Sequence, residues 1–254
     1  LSQEAIYPII EAKMAELMAE QPEKIYWDFS LNDNMNYCTC EKCQKVLAET
    51  GSMMGTMLPI INRLARRFPD KIISTLAYFY NEQPPKGMTC EPNVNIVLAP
   101  ISTGQLYSYR YGATEAAAKA KALVESWGAV SSSLMIWDYV INFKHLLLPY
   151  PNYDVQADNH VLYLENNVRA VFHQGSREHD NEMARLRSYI LSRQLWDNDT
   201  DVSAVLAKYV TVTYGDAAPY VAEYLDTMNR ELKEHAENLD LYDAPESHSR
   251  DYLS

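Results

Sequence analysis

The chain has 254 residues, 47% apolar and 22% charged, which fits a folded globular protein and excludes disordered, collagen-like and coiled-coil classes. With 34 acidic and 22 basic residues, the net charge is −12, so its surface repels phosphate backbones and anionic lipid, and no nucleic-acid partner is expected. No run approaches the roughly 18 consecutive apolar residues that span a bilayer, so no membrane insertion is expected.

The chain opens inside a helical pattern, with neither an initiator Met nor a secretory signal. That reads as a piece of a longer protein. Residues 3–20 form a helix with Ile6, Ile10, Met14 and Leu17 on one face, and residues 24–30 (KIYWDFS) are strand-like. Residues 56–68 are helical, with Leu58, Ile61, Leu64, Ala65 and Phe68 at helical spacing and Pro69 as the stop. Residues 72–80 and 94–99 are strands rich in branched and aromatic side chains, joined by a loop holding Pro84, Pro85 and Gly87. An Ala-rich helix over 114–127, with Thr114 as a candidate cap, leads to a fourth strand at 134–139. A helix over 157–167 precedes a fifth strand at 169–173.

After that the character changes to helix alone. Helices are expected at 181–196 (Met183, Leu186, Ile190 aligned), at 201–213 with Asp199 or Thr200 as N-cap, and at 217–237. The last has Pro219 in its first turn and Val221, Leu225, Met228 and Leu232 on one face. The tail, 239–254, is polar and reads as loose. The domain reading is therefore an α/β part over 1–180, C-terminal helices over 181–238, and the tail.

Strand–helix alternation implies parallel strands with right-handed crossovers. Five strands suit either a doubly wound sheet or the later strands of an eight-stranded barrel. Neither GxGxxG nor GxxxxGK[ST] occurs, and the chain holds only 8 Gly, so a phosphate cradle is a poor fit.

In parallel α/β folds, chemistry sits beyond the C-terminal strand ends. Those ends carry Asn32 and Asp33, then Tyr78 and Glu82, then Trp137, Asp138 and Tyr139 with Asn142, then His173 and Gln174. Carboxylates, amides and aromatics on one rim suit a sugar-cleaving site. Two carboxyls can divide acid and base or nucleophile roles, amides bind hydroxyls, and rings cover the apolar face of a pyranose. The 19 Tyr and four Trp add to this, although core packing explains any single one as well. Each site residue also has a plain structural reading. Asp33 could cap a turn, Asp138 needs a partner that could be a structural Arg or Lys, and Glu82 reads as solvated. His173 reads as a satisfied core histidine, and Glu178 and Glu182 as acids at a helix start.

Cys38, Cys40 and Cys43 form C-x-C-x-x-C, a spacing that suits zinc better than a strained short-loop disulfide. Cys90 is the tempting fourth ligand, but it precedes a strand while the other three follow one. A strand of six residues separates those rims by roughly 20 Å. The site is expected to be an incomplete three-Cys set, completed by another side chain or water, or else free thiols.

These residues also resemble a family. The run SLNDNMNYCTCEKCQ at 30–44 is similar to the signature of the domain-of-unknown-function 4838 family. Further matches follow in order: 72–80 with Pro84-Pro85, IWDYVINF at 136–143 with Leu148-Pro149-Tyr150-Pro151, LRSYILSRQLWD at 186–197, and Tyr214 to Ala218. The resemblance implies a glycoside-hydrolase-like (β/α)8 TIM-barrel-like fold of glycan-degrading bacteria, Bacteroides-type especially. Only strands four to eight would be present here, followed by the C-terminal helices. Its relatives include glycoside hydrolase family 163, endo-β-N-acetylglucosaminidases, and more distantly α-glucuronidases. Related barrels carry an Asn-Glu or Asp-Glu pair at the end of strand four, where this chain has Asn32-Asp33. The resemblance further implies a periplasmic, outer-membrane-surface or secreted setting.

The expected function is a glycoside hydrolase acting on complex glycans. Asp33 and Asp138 would be its carboxylates, working either as a pair or with the substrate acetamido group as nucleophile. Asn32, Tyr78, Glu82, Trp137, Tyr139, Asn142, His173 and Gln174 would shape the sugar site. No cofactor is required, and a structural zinc on Cys38, Cys40 and Cys43 is the one metal expectation. The alternatives are a non-catalytic carbohydrate-binding barrel relative and a zinc-organised structural module. The partner is an oligosaccharide or glycan, and uncovered sheet edges would favour self-association, leaving an isolated fragment a poor enzyme.

Overall fold

The computed structural model describes residues 2–101, 103–175, 181–235 and 238–244. The fold is mixed α/β, with a five-stranded parallel sheet and a C-terminal helical segment. The order of elements is α1 (Tyr7–Glu20), β1 (Tyr26–Asp28), α2 (Glu41–Thr50), α3 (Leu58–Arg67), β2 (Ile72–Ala77), β3 (Val94–Leu98), α4 (Glu115–Gly128), β4 (Leu134–Tyr139), α5 (Gln156–Glu165) and β5 (Val168–Gln174). Then come α6 (Ala184–Trp196), α7 (Val202–Tyr214) and α8 (Ala218–His235).

The sheet order is β1-β2-β3-β4-β5. Consecutive order without reversal is that of a barrel wall, and it lacks the switch point of a doubly wound sheet. The register sets Tyr26 against Ile72, Ile73 against Val94 and Ile96 against Leu134. The first strand is shorter than the seven residues expected. Ser30 nevertheless continues the pairing, its Oγ accepting from Leu76 N at 2.9 Å and donating to Asp28 Oδ1 at 2.7 Å.

The described residues fall into two compact units. One lies within Leu1–Pro100, Leu123–Trp137 and Glu165–Phe172, the other within Ile101–Ala122, Asp138–Leu164 and His173–Ser254. In the first unit α3 packs on β2 and β3. It buries Leu58, Ile60, Ile61, Leu64 and Ala65, an apolar stripe at helical spacing. Helix α1 buries Tyr7, Met14 and Met18; Met14 belongs to the expected face, whose other members Ile6, Ile10 and Leu17 are half-buried.

In the second unit, Leu186, Ile190, Val210 and Leu225 of the last three helices share a core with Tyr153. Asp201 caps α7 by accepting from Ala204 N at 3.0 Å, a role expected of Asp199 or Thr200. The largest correction concerns the tail. Leu239 and Leu241 are fully buried, and Leu239 packs with Leu106, Leu148, Tyr150 and Leu232. Alternating leucines in LDLYDA supply the apolar surface that an overall polar composition hides. The remainder of the expected loose tail, 245–254, lies outside the described residues, as does Glu178.

Candidate functional site

In the first unit, the ends of β1 and β2 build a recess lined by Asn32, Asp33, Asn34, Tyr78, Phe79 and Tyr80 among others. Two local devices shape it. Asn34 forms an Asx turn, its Oδ1 accepting from Asn36 N at 2.8 Å. After β2 the chain tightens into a 3-10 turn over Phe79–Asn81, where Asn81 Oδ1 accepts from Tyr78 N at 3.2 Å and Asn81 Nδ2 donates to Leu76 O at 3.2 Å. That turn cuts short the strand expected to run to residue 80. It also holds Phe79 at φ 51°, a left-handed conformation that a bulky residue adopts only when its surroundings enforce it. Asn32 and Asp33 are exposed and Tyr78 is half-buried, so all three can meet a ligand.

Glu82 follows the turn. It is buried, not solvated as expected, and its carbonyl accepts from Trp127 Nε1 at 2.7 Å. The loop is pinned because Ser52 Oγ donates to Gln83 O at 2.6 Å and Lys86 N to Thr50 O at 2.9 Å. Trp137 packs edge-on against Phe172, ring centroids 5.2 Å apart.

The same unit carries the cysteines. The sulfurs of Cys38, Cys40 and Cys43 lie within 4.8 Å of one another. Cys40 is the N-cap of α2, and Cys43 is buried in its first turn. The Cys43 N–H, with the neighbouring Cys38 and Cys43 sulfurs, pulls the Cys40 thiol down to about 7. Cys90 stands outside the cluster, and burial pushes its thiol up to about 11.

The second unit holds a polar network at the ends of β4 and β5. Asp138 is fully buried. Its Oδ1 accepts from Gln105 Nε2 and from Tyr139 N, both at 2.9 Å, and its Oδ2 lies 3.2 Å from His173 Nδ1. The charged neighbour of Asp138 is thus His173, where the sequence left a structural Arg or Lys, or a substrate, as the candidates. His173 Nε2 in turn lies 2.9 Å from His160 Nε2. Only one proton fits between two facing ring nitrogens, so the rings cannot both carry one there. Burial first, and then the charge of His173, hold His160 down at about 4. Gln156 Nε2 donates to Gln105 Oε1 at 3.1 Å, and Gln105 Nε2 also meets Tyr109 OH at 2.5 Å. Burial, and next to it the Asp138 charge, push the Tyr109 hydroxyl well above its usual range.

Of the other expected site residues of this unit, Tyr139 and Asn142 face inward and Gln174 is half-buried. Tyr139 is buried, its ring 5.6 Å from that of Phe143. Asn142 is buried with its amide spent on the chain itself: Nδ2 donates to Asp243 O at 2.9 Å, and Oδ1 accepts from Lys144 N and His145 N at 2.9 and 2.7 Å. Gln174 ends β5, its carbonyl accepting from Val140 N at 3.2 Å. Glu182 pairs with buried Arg187 at 2.7 Å and accepts from Tyr153 OH at 3.0 Å, a structural assignment that goes beyond a helix-start acid.

Sequence reasoning missed Gln105, Gln156 and His160, while Tyr80 falls in the run read as the end of the second strand. One signal was present: Gln156, Asn159 and His160 recur at helical spacing on the buried face of α5, where polar groups need partners.

Fold and sites together define a parallel α/β protein with a polar recess beyond its strand ends. The chain belongs to the family described as Domain of unknown function (DUF4838), whose family model matches residues 1–226. A comparison with curated proteins gives no match. Among the described residues, no helix is long and apolar enough to cross a membrane.

Proposed function

We propose that this chain is a glycoside hydrolase domain acting on complex glycans, with the sugar lying across the shallow rim beyond β1 and β2. The observation that carries this reading is the exposed Asp33 carboxylate set beside Asn32, Asn34, Tyr78 and Tyr80. Rings of this kind cover the C–H face of a pyranose, and the amides match its hydroxyls.

In this reading Asp33 gives its proton to the glycosidic oxygen as the bond to the anomeric carbon breaks. On a β-linked N-acetylated sugar, the acetamido oxygen attacks that carbon, so no second protein carboxylate is needed as nucleophile. Water then adds to the anomeric carbon and returns its proton to Asp33. The burial of Asp138 favours this single-carboxylate chemistry over a carboxylate pair and makes Asp138 a positioning residue for His173. The family resemblance supports action outside the cytoplasm in a glycan-degrading bacterium.

The same sealed Asp138 favours a second reading, a non-catalytic carbohydrate-binding relative. Both are tested with β-linked N-acetylglucosamine oligosaccharides and N-glycans, by reducing-end release and by NMR binding. Hydrolysis predicts release that falls about a hundredfold to ten-thousandfold in Asp33→Asn while binding persists. Binding without release supports the second reading. A panel in which nothing binds overturns both.

A further inference from the structure

The three clustered cysteines are used by nothing in the proposed reaction. We propose that Cys38, Cys40 and Cys43 form a zinc site with three thiolate ligands and a fourth position open to solvent, and that the bound ion fixes the loop carrying Asp33 and Tyr37.

Three observations converge on this. The first is distance. Zinc–sulfur bonds of about 2.3 Å in a tetrahedron place sulfurs about 3.8 Å apart. The three sulfurs already lie within 4.8 Å, so closing on an ion takes small side-chain rotations.

The second is the backbone. The Cys40 N–H faces Cys38 sulfur and the Cys43 N–H faces Cys40 sulfur. Two amide donors so placed hold the Cys38 and Cys40 sulfurs in position at the start of α2, beside Cys43. The Ser2 hydroxyl lies 3.2 Å from Cys43 sulfur and supplies an outer hydrogen bond of the kind that tunes ligands.

The third is exposure. Cys38 and Cys40 are exposed while Cys43 is buried, so the set is anchored on one side and open on the other. Solvent reaches the fourth corner. Cys90 cannot supply it, being absent from the cluster and half-buried beside the Val130 carbonyl, which accepts from its N–H at 2.8 Å.

The link to the recess runs through Tyr37. Its ring lies 5.1 Å from that of Tyr80, which lines the recess, and Cys38 is its next neighbour in the chain. Fixing Cys38 therefore fixes Tyr37 against Tyr80. The metal site itself stands whatever the recess binds. Only its effect on a sugar rests on the glycan reading.

The test uses the full chain, purified under reducing conditions and loaded with Zn²⁺ or Co²⁺ alone. Elemental analysis should give one zinc per chain, and Co²⁺ should give an intense thiolate-to-metal charge-transfer band. Cys38→Ser and Cys40→Ser change exposed residues and should leave the chain folded. Each should weaken Zn²⁺ by more than the tenfold to hundredfold, roughly, that loss of an outer-shell partner costs. Cys90→Ser should bind as the parent does, and this panel carries the test even where Cys43→Ser fails to fold. Zinc bound equally well by Cys38→Ser and Cys40→Ser overturns the site. So does a disulfide among the three in protein that takes up no metal. If zinc binds but leaves the Tyr37 and Tyr80 ring signals unmoved in NMR, the loop-fixing part fails while the ligand set stands.

Discussion

Replacing His160 by glutamine is expected to flatten the response of stability to acid. His160 is held at about 4 in the folded chain, against an ordinary 6.5, by burial and then by the neighbouring His173. The unfolded chain therefore binds a proton between pH 6.5 and 4 that the folded chain does not. Stability tied to this group is fully present above about pH 6.5 and is lost as pH falls toward about 4. A fall from 6.5 to about 4 corresponds to about 3 kcal/mol at roughly 1.36 kcal/mol for each step of one in pH. The facing nitrogens explain why relaxation does not relieve it: protonating His160 as well as His173 sets two N–H groups against each other across 2.9 Å. Glutamine keeps a polar group near the former Nε2 and does not titrate. Urea unfolding of both proteins from pH 7 to pH 4 reads this pair, because acid-sensitive groups remote from it cancel in the difference. The gap between variant and parent should move by about 3 kcal/mol in favour of the variant as pH falls. Parallel curves would refute the reasoning and show His160 charging freely.

Asp138→Asn keeps an acceptor for Gln105 and Tyr139 but removes the charge beside His173. It should cost about 1–3 kcal/mol, and a double-mutant cycle with His173→Gln should show coupling, whereas additive losses would dissolve the pair. Arg187→Met leaves Glu182 with the Tyr153 hydroxyl as its side-chain partner among the described residues, takes a donor from Asn152 and the Tyr150 carbonyl, and should cost about 3–5 kcal/mol in denaturant unfolding. Adding Glu182→Leu should recover part of that loss, and no recovery would mean the pair is not the source. Leu239→Ala should cost about 2–5 kcal/mol if the tail is part of the core, and a loss well under 1 kcal/mol would return it to the surface.

Much of the sheet was legible because its strands are runs of branched and aromatic residues between turn formers. The segments expected at 94–99, 134–139 and 169–173 match β3, β4 and β5 within a residue at either end. Helix α2 was not legible. Cys43, Val46, Leu47 and Thr50 do share one face at helical spacing, but only Val46 and Leu47 are strongly apolar, and the helix starts within a motif read for metal. The end of β2 was misjudged for a different reason. IISTLAYFY is strand-like throughout, and the Asn81 side chain reaching back to Tyr78 and Leu76 joins the backbone bonds of the turn in ending the strand. A local hydrogen bond overrode propensity there.

The two aspartates show what strand-end position can and cannot tell. Both follow apolar strand residues, and for both the rim was the natural assignment. The pleat separates them. In β4 the period of two puts Asp138 on the face of Leu134 and Ile136, which are buried, so its carboxylate inherits their environment. A charge there persists only with donors around it. Those donors are the Tyr139 N–H, next in the chain, and Gln105, 33 positions away, while His173 stands 3.2 Å from the carboxylate and meets His160 across 13 positions, separations over which no periodicity connects residues. Asp33 stands beyond its strand, past the Ser30 side chain that completes the pairing with β2, and no strand face claims it. Alternation within the strand, more than adjacency to its end, decides which carboxylate is free to meet a ligand and which is committed to holding the chain together.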